Sequence, residues 1–314
     1  MKKISLLLAV LAIFLCIAGL TACAPVDWEE GKLRVVATTT MLADLARNIG
    51  KDRADVKGLM GAGIDPHLYQ ASAGDVKLMN GAELVIYNGL HLEGKMADIF
   101  GQLGGNRDVT VVCAADGIDK SELLSDENNP TVFDPHIWFD AELWKSAARE
   151  VCGGFTECDP ENAEYYQSNL DDYLGELDEL HNYVLSRAAE LPEEQRVLIT
   201  AHDAFRYFGR AYGFEVRGLQ GISTVSEAGI GDINELADFI AERRVRAIFV
   251  ETSIPVKNIE SLRSAAAAKG FSVEIGGELY SDSLGDEAHG TETYILTFKA
   301  NIDTIVEALK TENG

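Results

Sequence analysis

Positive charge, paired cysteines and long apolar stretches are all scarce in this chain. Its 314 residues include 27 lysines and arginines against 51 aspartates and glutamates, a formal net charge of −24. So acidic a surface repels nucleic acid and anionic substrates and draws cations by long-range steering, although it also simply keeps a protein in solution. There is no CxxC among the five cysteines, which argues against a cysteine-built metal or redox centre. Cys152 and Cys158, close together in CGGFTEC, are candidates for pairing in an oxidising compartment, while Cys113 in TVVCAA reads as a buried free thiol. No HExxH, a common zinc-hydrolase pattern, occurs. The one long apolar run lies at the start, so the rest of the chain reads as a soluble body.

That start is MKKISLLLAVLAIFLCIAGLTAC. Lys2 and Lys3 precede an apolar run over residues 4–20 and then small residues, the pattern of an export signal. A single membrane-spanning anchor is the alternative, and the run is near the lower length limit for one. Leu20-Thr21-Ala22-Cys23 resembles a bacterial lipobox, which implies cleavage before Cys23 and a lipid on its thiol. Residues 1–22 would then be removed, leaving a charge of −26 and a protein tethered outside the cytoplasmic membrane.

The mature chain alternates strand-like and helical segments. LRVVATTT (33–40), DVKGLM (55–60), ELVIYNG (83–89) and DVTVVCAA (108–115) read as strands, with helical patterns between and after them. From Pro160 to Pro192 apolar residues recur with a 3.6-residue period, and Gly175 is the only interruption. RVLIT (196–200), EVRGLQ (215–220), RAIFVET (246–252) and SVEIGG (272–277) then resume the alternation. Strands interleaved with helices point to an α/β protein whose parallel sheets are covered on both faces. The expected division is an N-terminal lobe at 23–159, a long bridging helix at 160–191 and a C-terminal lobe at 192–314, each lobe with a roughly four-stranded sheet.

Histidine is scarce too, at six, yet Asp-Pro-His occurs twice, in DPHLYQ (65–70) and DPHIWFD (134–140). Proline fixes its own φ and restricts its predecessor, so each histidine is presented from a stiff turn. In parallel α/β sheets, binding residues lie past the carboxyl ends of strands. His67, His136, His202 and Asp282 all hold such positions, two in each expected lobe, and Tyr69 and Trp138 are placed to wall the cleft between them. Three imidazoles and a carboxylate suit a divalent transition ion, though each histidine taken singly is more readily a structural polar residue than a ligand. His91, His181 and His289 read as bystanders, with His91 a candidate supporting residue. Glu251, ending RAIFVET, is a candidate to orient His202, or else a plain strand-end carboxylate.

DPHLYQAS, YNGLHLE, FDPHIWFD, LITAHDAFRYFGRAYGFEVRGLQGISTVSEA, FVETSIP and IGGELYSDSLG together carry a resemblance that runs along nearly the whole mature chain. They are similar to the TroA-like and ZnuA-like family, the metal-binding lipoproteins of bacterial zinc and manganese ABC importers (cluster A-I). The resemblance implies a monomeric, non-enzymatic solute-binding protein whose cargo is one Zn2+ or Mn2+ and whose partners are a permease and its ATPase. The family's ligand positions fall on His67, His136, His202 and Asp282. The third position is Glu in manganese-selective relatives and His in zinc-binding ones. Dedicated zinc relatives often carry a long His-rich loop before the second His motif; here the short acidic SELLSDENNP stands instead, which argues against exclusive dedication to zinc. Two other classes stay in view. A zinc hydrolase would use Glu251 or Asp203 as base, and an adhesin would use the acidic faces. Asp282, in the Gly/Ser-rich LYSDSLG, is expected to be the ligand most able to swing away, and the small-residue loop GISTVSEAGIGD (221–232) is expected to rim the cleft.

Overall fold

The computed structural model describes residues 26–126 and 129–310, so the expected signal and Cys23 lie outside the described residues. The first half builds one wholly parallel sheet from β1 (Leu33–Ala37), β2 (Ala54–Gly58), β3 (Leu84–Tyr87) and β4 (Thr110–Cys113), in the order β2-β1-β3-β4. Val35, Val36, Leu84, Val85 and Ile86 are fully buried, as a sheet covered on both faces requires. Its helices are α1 (Thr40–Gly50), α2 (Ala73–Asn80), α3 (Ala97–Leu103) and α4 (Ala141–Cys158). Side chains satisfy their first amides: Thr39 caps α1, Ser72 and Asp75 form a capping box on α2, and Asp140 caps α4. The helical segment between β3 and β4 starts only at Ala97, because Gly89, Leu90 and His91 take positive φ and Glu93 turns its carboxylate back onto the Asn88 and Gly89 amides.

The predicted bridge is α5 (Ala163–Ala188), 26 residues and about 39 Å long, entered through a 3-10 turn at Pro160–Asn162. Tyr166, Leu170, Tyr173, Leu177, Leu180 and Val184 form its buried stripe. That stripe packs against α1 and α4 of the first half and against the last helix, α9 (Tyr294–Leu309).

The second half differs from one four-stranded sheet. β5 (Val197–His202) pairs with β6 (Glu215–Gln220), and β7 (Ala247–Glu251) pairs with β8 (Glu274–Leu279), as two parallel ladders. β5 and β7 lie side by side without a shared ladder, and at their carboxyl ends a side chain stands in: the His202 amide donates to Glu251 Oε1 at 2.9 Å. The β7–β8 register slips at Ile248/Phe249, where Gly276 is skipped. A Cβ there would lie 2.6 Å from Ala308 of α9, so only glycine lets strand and helix close up. α6 (Arg206–Tyr212), α7 (Ile230–Arg243) and α8 (Lys257–Ala268) complete the half.

The two halves share a core rather than facing each other across water. The Phe139 ring of the first half packs at a tilt, its centroid 4.1 Å from that of Phe205 of the second and 6.0 Å from that of Phe298 of α9, within one apolar cluster that also holds Trp144 and Tyr294. From Gly31 onward the chain is accordingly one compact unit. Cys152 and Cys158 are free thiols on α4, six residues apart. That spacing is about 9 Å of helical rise, beyond the reach of a disulfide, so the pairing considered from the sequence does not occur.

Candidate metal centre

The strand ends bring four donors together. His67 lies on the loop after β2, His136 on the turn before α4, His202 is the last residue of β5, and Asp282 follows β8 by three residues. One ligand atom from each lies within 4.8 Å of all the others, and all four side chains are buried. His67 and His136 face each other Nε2 to Nε2 at 3.3 Å. Asp282 Oδ1 is 3.4 Å from His202 Nε2 and 3.5 Å from His136 Nε2, and Oδ2 is 3.9 Å from His67 Nε2. Zinc–nitrogen bonds near 2.1 Å in a tetrahedron put donors about 3.4 Å apart, so the set fits a small divalent ion.

Carboxylates decide which way two of the rings point. His136 Nδ1 is 2.7 Å from Asp134 Oδ1, and His202 Nδ1 is 2.6 Å from Glu251 Oε2. Each carboxylate accepts the Nδ1 proton, which turns the Nε2 lone pair toward the centre. The same carboxylates also accept the backbone amides of these histidines. Asp65 repeats only half of this: Oδ1 accepts the His67 amide at 2.8 Å, and Oδ2 accepts the Thr224 hydroxyl at 2.6 Å from the other half. The aspartate of Asp-Pro-His thus does more than lead a stiff turn, a use that proline geometry alone does not predict. An aspartate two residues before an amide is the available signal.

Electrostatics follow the same partners. Burial pushes His67 down to about 3, against the opposing charge of Asp282. Burial works against a proton on His136 and His202 as well, but Asp134 and Asp282 raise the former and Glu251 and Asp282 raise the latter well above the ordinary histidine range. Asp282, despite its burial, is held well below the usual carboxylate range, with His202 the strongest opposing influence. His202 Nε2 and both Asp282 oxygens are buried without a hydrogen-bond partner among the described residues. Orphaned lone pairs aimed at one point are the polar cost that a bound cation removes.

The Asp282 loop is not free, contrary to its composition. The Asn301 side chain bonds both the amide and the carbonyl of Tyr280, and the Trp138 indole donates to Ser281 O. Ser283 Oγ accepts the Gly63 amide, and the Leu284 amide donates to Thr40 Oγ1. Of the three imidazoles, His67 is the less restrained, since its Nδ1 has no protein partner among the described hydrogen bonds. Trp138 packs edge-on to His136 with centroids 5.2 Å apart, whereas Tyr69 turns away and donates to Asp75 at the start of α2. His91 is exposed, His181 meets Tyr212, and His289 pairs with Asp286 on the surface, so none of them joins the cluster. Thr224 places the 221–232 loop against the Asp65 turn, at the edge of the site.

Known proteins share this arrangement of chain. The zinc-binding protein TroA of Treponema pallidum is 50% identical over 280 residues, covering 89% of this chain and 90% of that protein. The manganese-binding lipoprotein MntA of Bacillus subtilis is 44% identical over 281 residues, covering 90% and 91%. The solved periplasmic zinc-binding protein TroA from Treponema pallidum superposes with a TM-score of 0.86 at 49% identity, over 90% of this chain and 100% of that one. The family model of ZnuA, the periplasmic component A of a zinc-uptake complex, matches residues 35–308, from the first sheet through the last helix. The chain therefore belongs to the ZnuA family of solute-binding transport components, which are not enzymes.

Proposed function

We propose that this protein captures one Zn2+ or Mn2+ ion outside the cytoplasmic membrane and hands it to an ABC permease driven by its ATPase. The ion is held by Nε2 of His67, His136 and His202 and by the Asp282 carboxylate. Glu251 and Asp134 fix the two inner rings. The lobes are residues 23–159 and 192–314, bridged by 160–191, and the protein acts as a monomer anchored through a lipid on Cys23. The observation that carries this reading is the buried convergence of four donors whose inward atoms lack other partners. Four protein donors also leave no open position for an activated water, as a hydrolytic zinc site needs. His202 in the third ligand position and the intrinsic order of divalent affinities favour zinc at equal access, with manganese taken where free zinc is scarce.

The test uses residues 24–314, stripped of metal and titrated with each ion. Wild type should take up one equivalent of zinc more tightly than manganese, and His202→Ala should lose at least about a hundredfold in affinity. Absent stoichiometric binding, or binding indifferent to His202, refutes the capture reading.

A further inference from the structure

One side chain touches a candidate ligand in the first half and the backbone next to another in the second. Trp138 is 2% exposed and follows His136 by two residues. Its ring meets the His136 imidazole edge-on, with centroids 5.2 Å apart at 71°. Its indole N–H crosses to the other half and donates to the carbonyl of Ser281, at 3.0 Å, in a fully buried bond. Ser281 directly precedes Asp282. The Trp138 carbonyl in turn accepts the Tyr294 hydroxyl at 2.6 Å, which anchors the tryptophan backbone to α9. Among the described residues, two other hydrogen bonds tie the first half to this loop, the Gly63 amide to Ser283 Oγ and the Leu284 amide to Thr40 Oγ1, and both lie past Asp282 in the chain.

We infer that Trp138 is a positioning residue for the metal site: its indole N–H fixes the backbone on which Asp282 reaches across to His136 and His202, and its ring holds His136 against that carboxylate. The assignment rests on the capture reading above. A carboxylate 3.4 to 3.5 Å from two imidazoles leaves little tolerance, because donors held within about half an ångström of a productive geometry lose affinity when their support is loosened. The bond is backbone-directed, so no change at Ser281 removes it, and only the indole supplies the donor. Through these two contacts Trp138 sets the residence time of the ion.

Trp138→Phe keeps a ring beside His136 and removes the donor. The matched control is Trp144→Phe, which deletes an equally buried indole bond, to the Tyr173 hydroxyl at 3.2 Å, away from the ligands. Zinc release from each loaded protein into excess chelator is timed by stopped flow. Trp138→Phe should release zinc at least about tenfold faster than wild type, and Trp144→Phe at the wild-type rate. Equal release rates for wild type and Trp138→Phe, or equal acceleration in both variants, overturn the assignment while leaving metal capture intact. A wild type that holds no zinc brings down the capture reading and this assignment together. Should Trp138→Phe not fold, the wild-type protein decides: the 15N-indole resonance of Trp138 must shift when the metal is stripped, and an unmoved resonance overturns the positioning role.

Discussion

The two Asp-Pro-His turns use the same three residues to different ends. Asp134 Oδ1 accepts both the amide and the ring Nδ1 of His136, whereas Asp65 accepts only the His67 amide and uses its second oxygen to tie the turn to Thr224. Glu251 does for His202 what Asp134 does for His136, although it sits 49 residues away in sequence. Glu251→Gln should weaken zinc binding by about ten- to a hundredfold, measured by competition with a chromophoric chelator; unchanged affinity would remove its orienting role. Metal binding is also proton-linked. The neighbouring carboxylates raise His136 and His202 above the ordinary histidine range, so in the metal-free protein they keep protons more readily than a free imidazole, while His67, pushed down to about 3 by burial, gives its proton up. An ion must displace those protons to reach Nε2, so affinity falls as pH falls from 8 to 6. Calorimetry in buffers of different ionisation enthalpy should register proton release at pH 6, and a pH-independent affinity across this range contradicts the assignment. The four residues that converge were legible from scarcity of histidine and strand-end position, and the family resemblance selected among them. The carboxylates behind them were not all legible, because which oxygen meets which nitrogen is settled by strands distant in sequence.

At the scale of elements, apolar periodicity located the strands and most helices because each buries a face with its own repeat. It failed where backbone or loop demands override that repeat, as at α3, where positive φ at Leu90 and His91 delays the helix to Ala97. It also failed to anticipate that the second sheet divides, since pairing depends on register and on Gly276 rather than on strand composition. Helix α1 carries a buried charge that no pattern announced. Asp44 accepts the Tyr294 amide at the start of α9 at 3.1 Å, and burial pushes it up from 3.8 to about 6. Between those values the folded protein holds a proton that the unfolded chain has lost, so this group destabilises the fold progressively as pH rises from about 4 to about 6. Asp44→Asn keeps the acceptor without the charge. Urea unfolding of the metal-free protein should show its stability relative to wild type growing across that window to a plateau on the order of 3 kcal/mol. A stability difference that does not vary with pH would rule this out.

Across the whole molecule, the shared core limits how far the halves can part. Phe139, Phe205 and Phe298 pack together beneath the site, and α5 buries its stripe against helices of both halves. Separating them would expose apolar area at roughly 25 cal/mol per Å2, more than a modest gain in ligand access returns. Small-angle scattering should therefore give radii of gyration for metal-free and zinc-loaded protein within about 0.5 Å of each other, against roughly 19 Å for a chain of this size. A change above about 1 Å would mean that the core opens. The sequence by itself determined the α/β alternation, the long helix and the candidate ligands, because hydrophobic period, proline-stiffened turns and strand-end placement are local properties of the chain. Only the tertiary structure decided that the Asp282 loop is pinned, that Asp134 and Glu251 aim the imidazoles, and that one indole spans both halves. Those are contacts between residues far apart in the chain, and no local pattern encodes the distance between them.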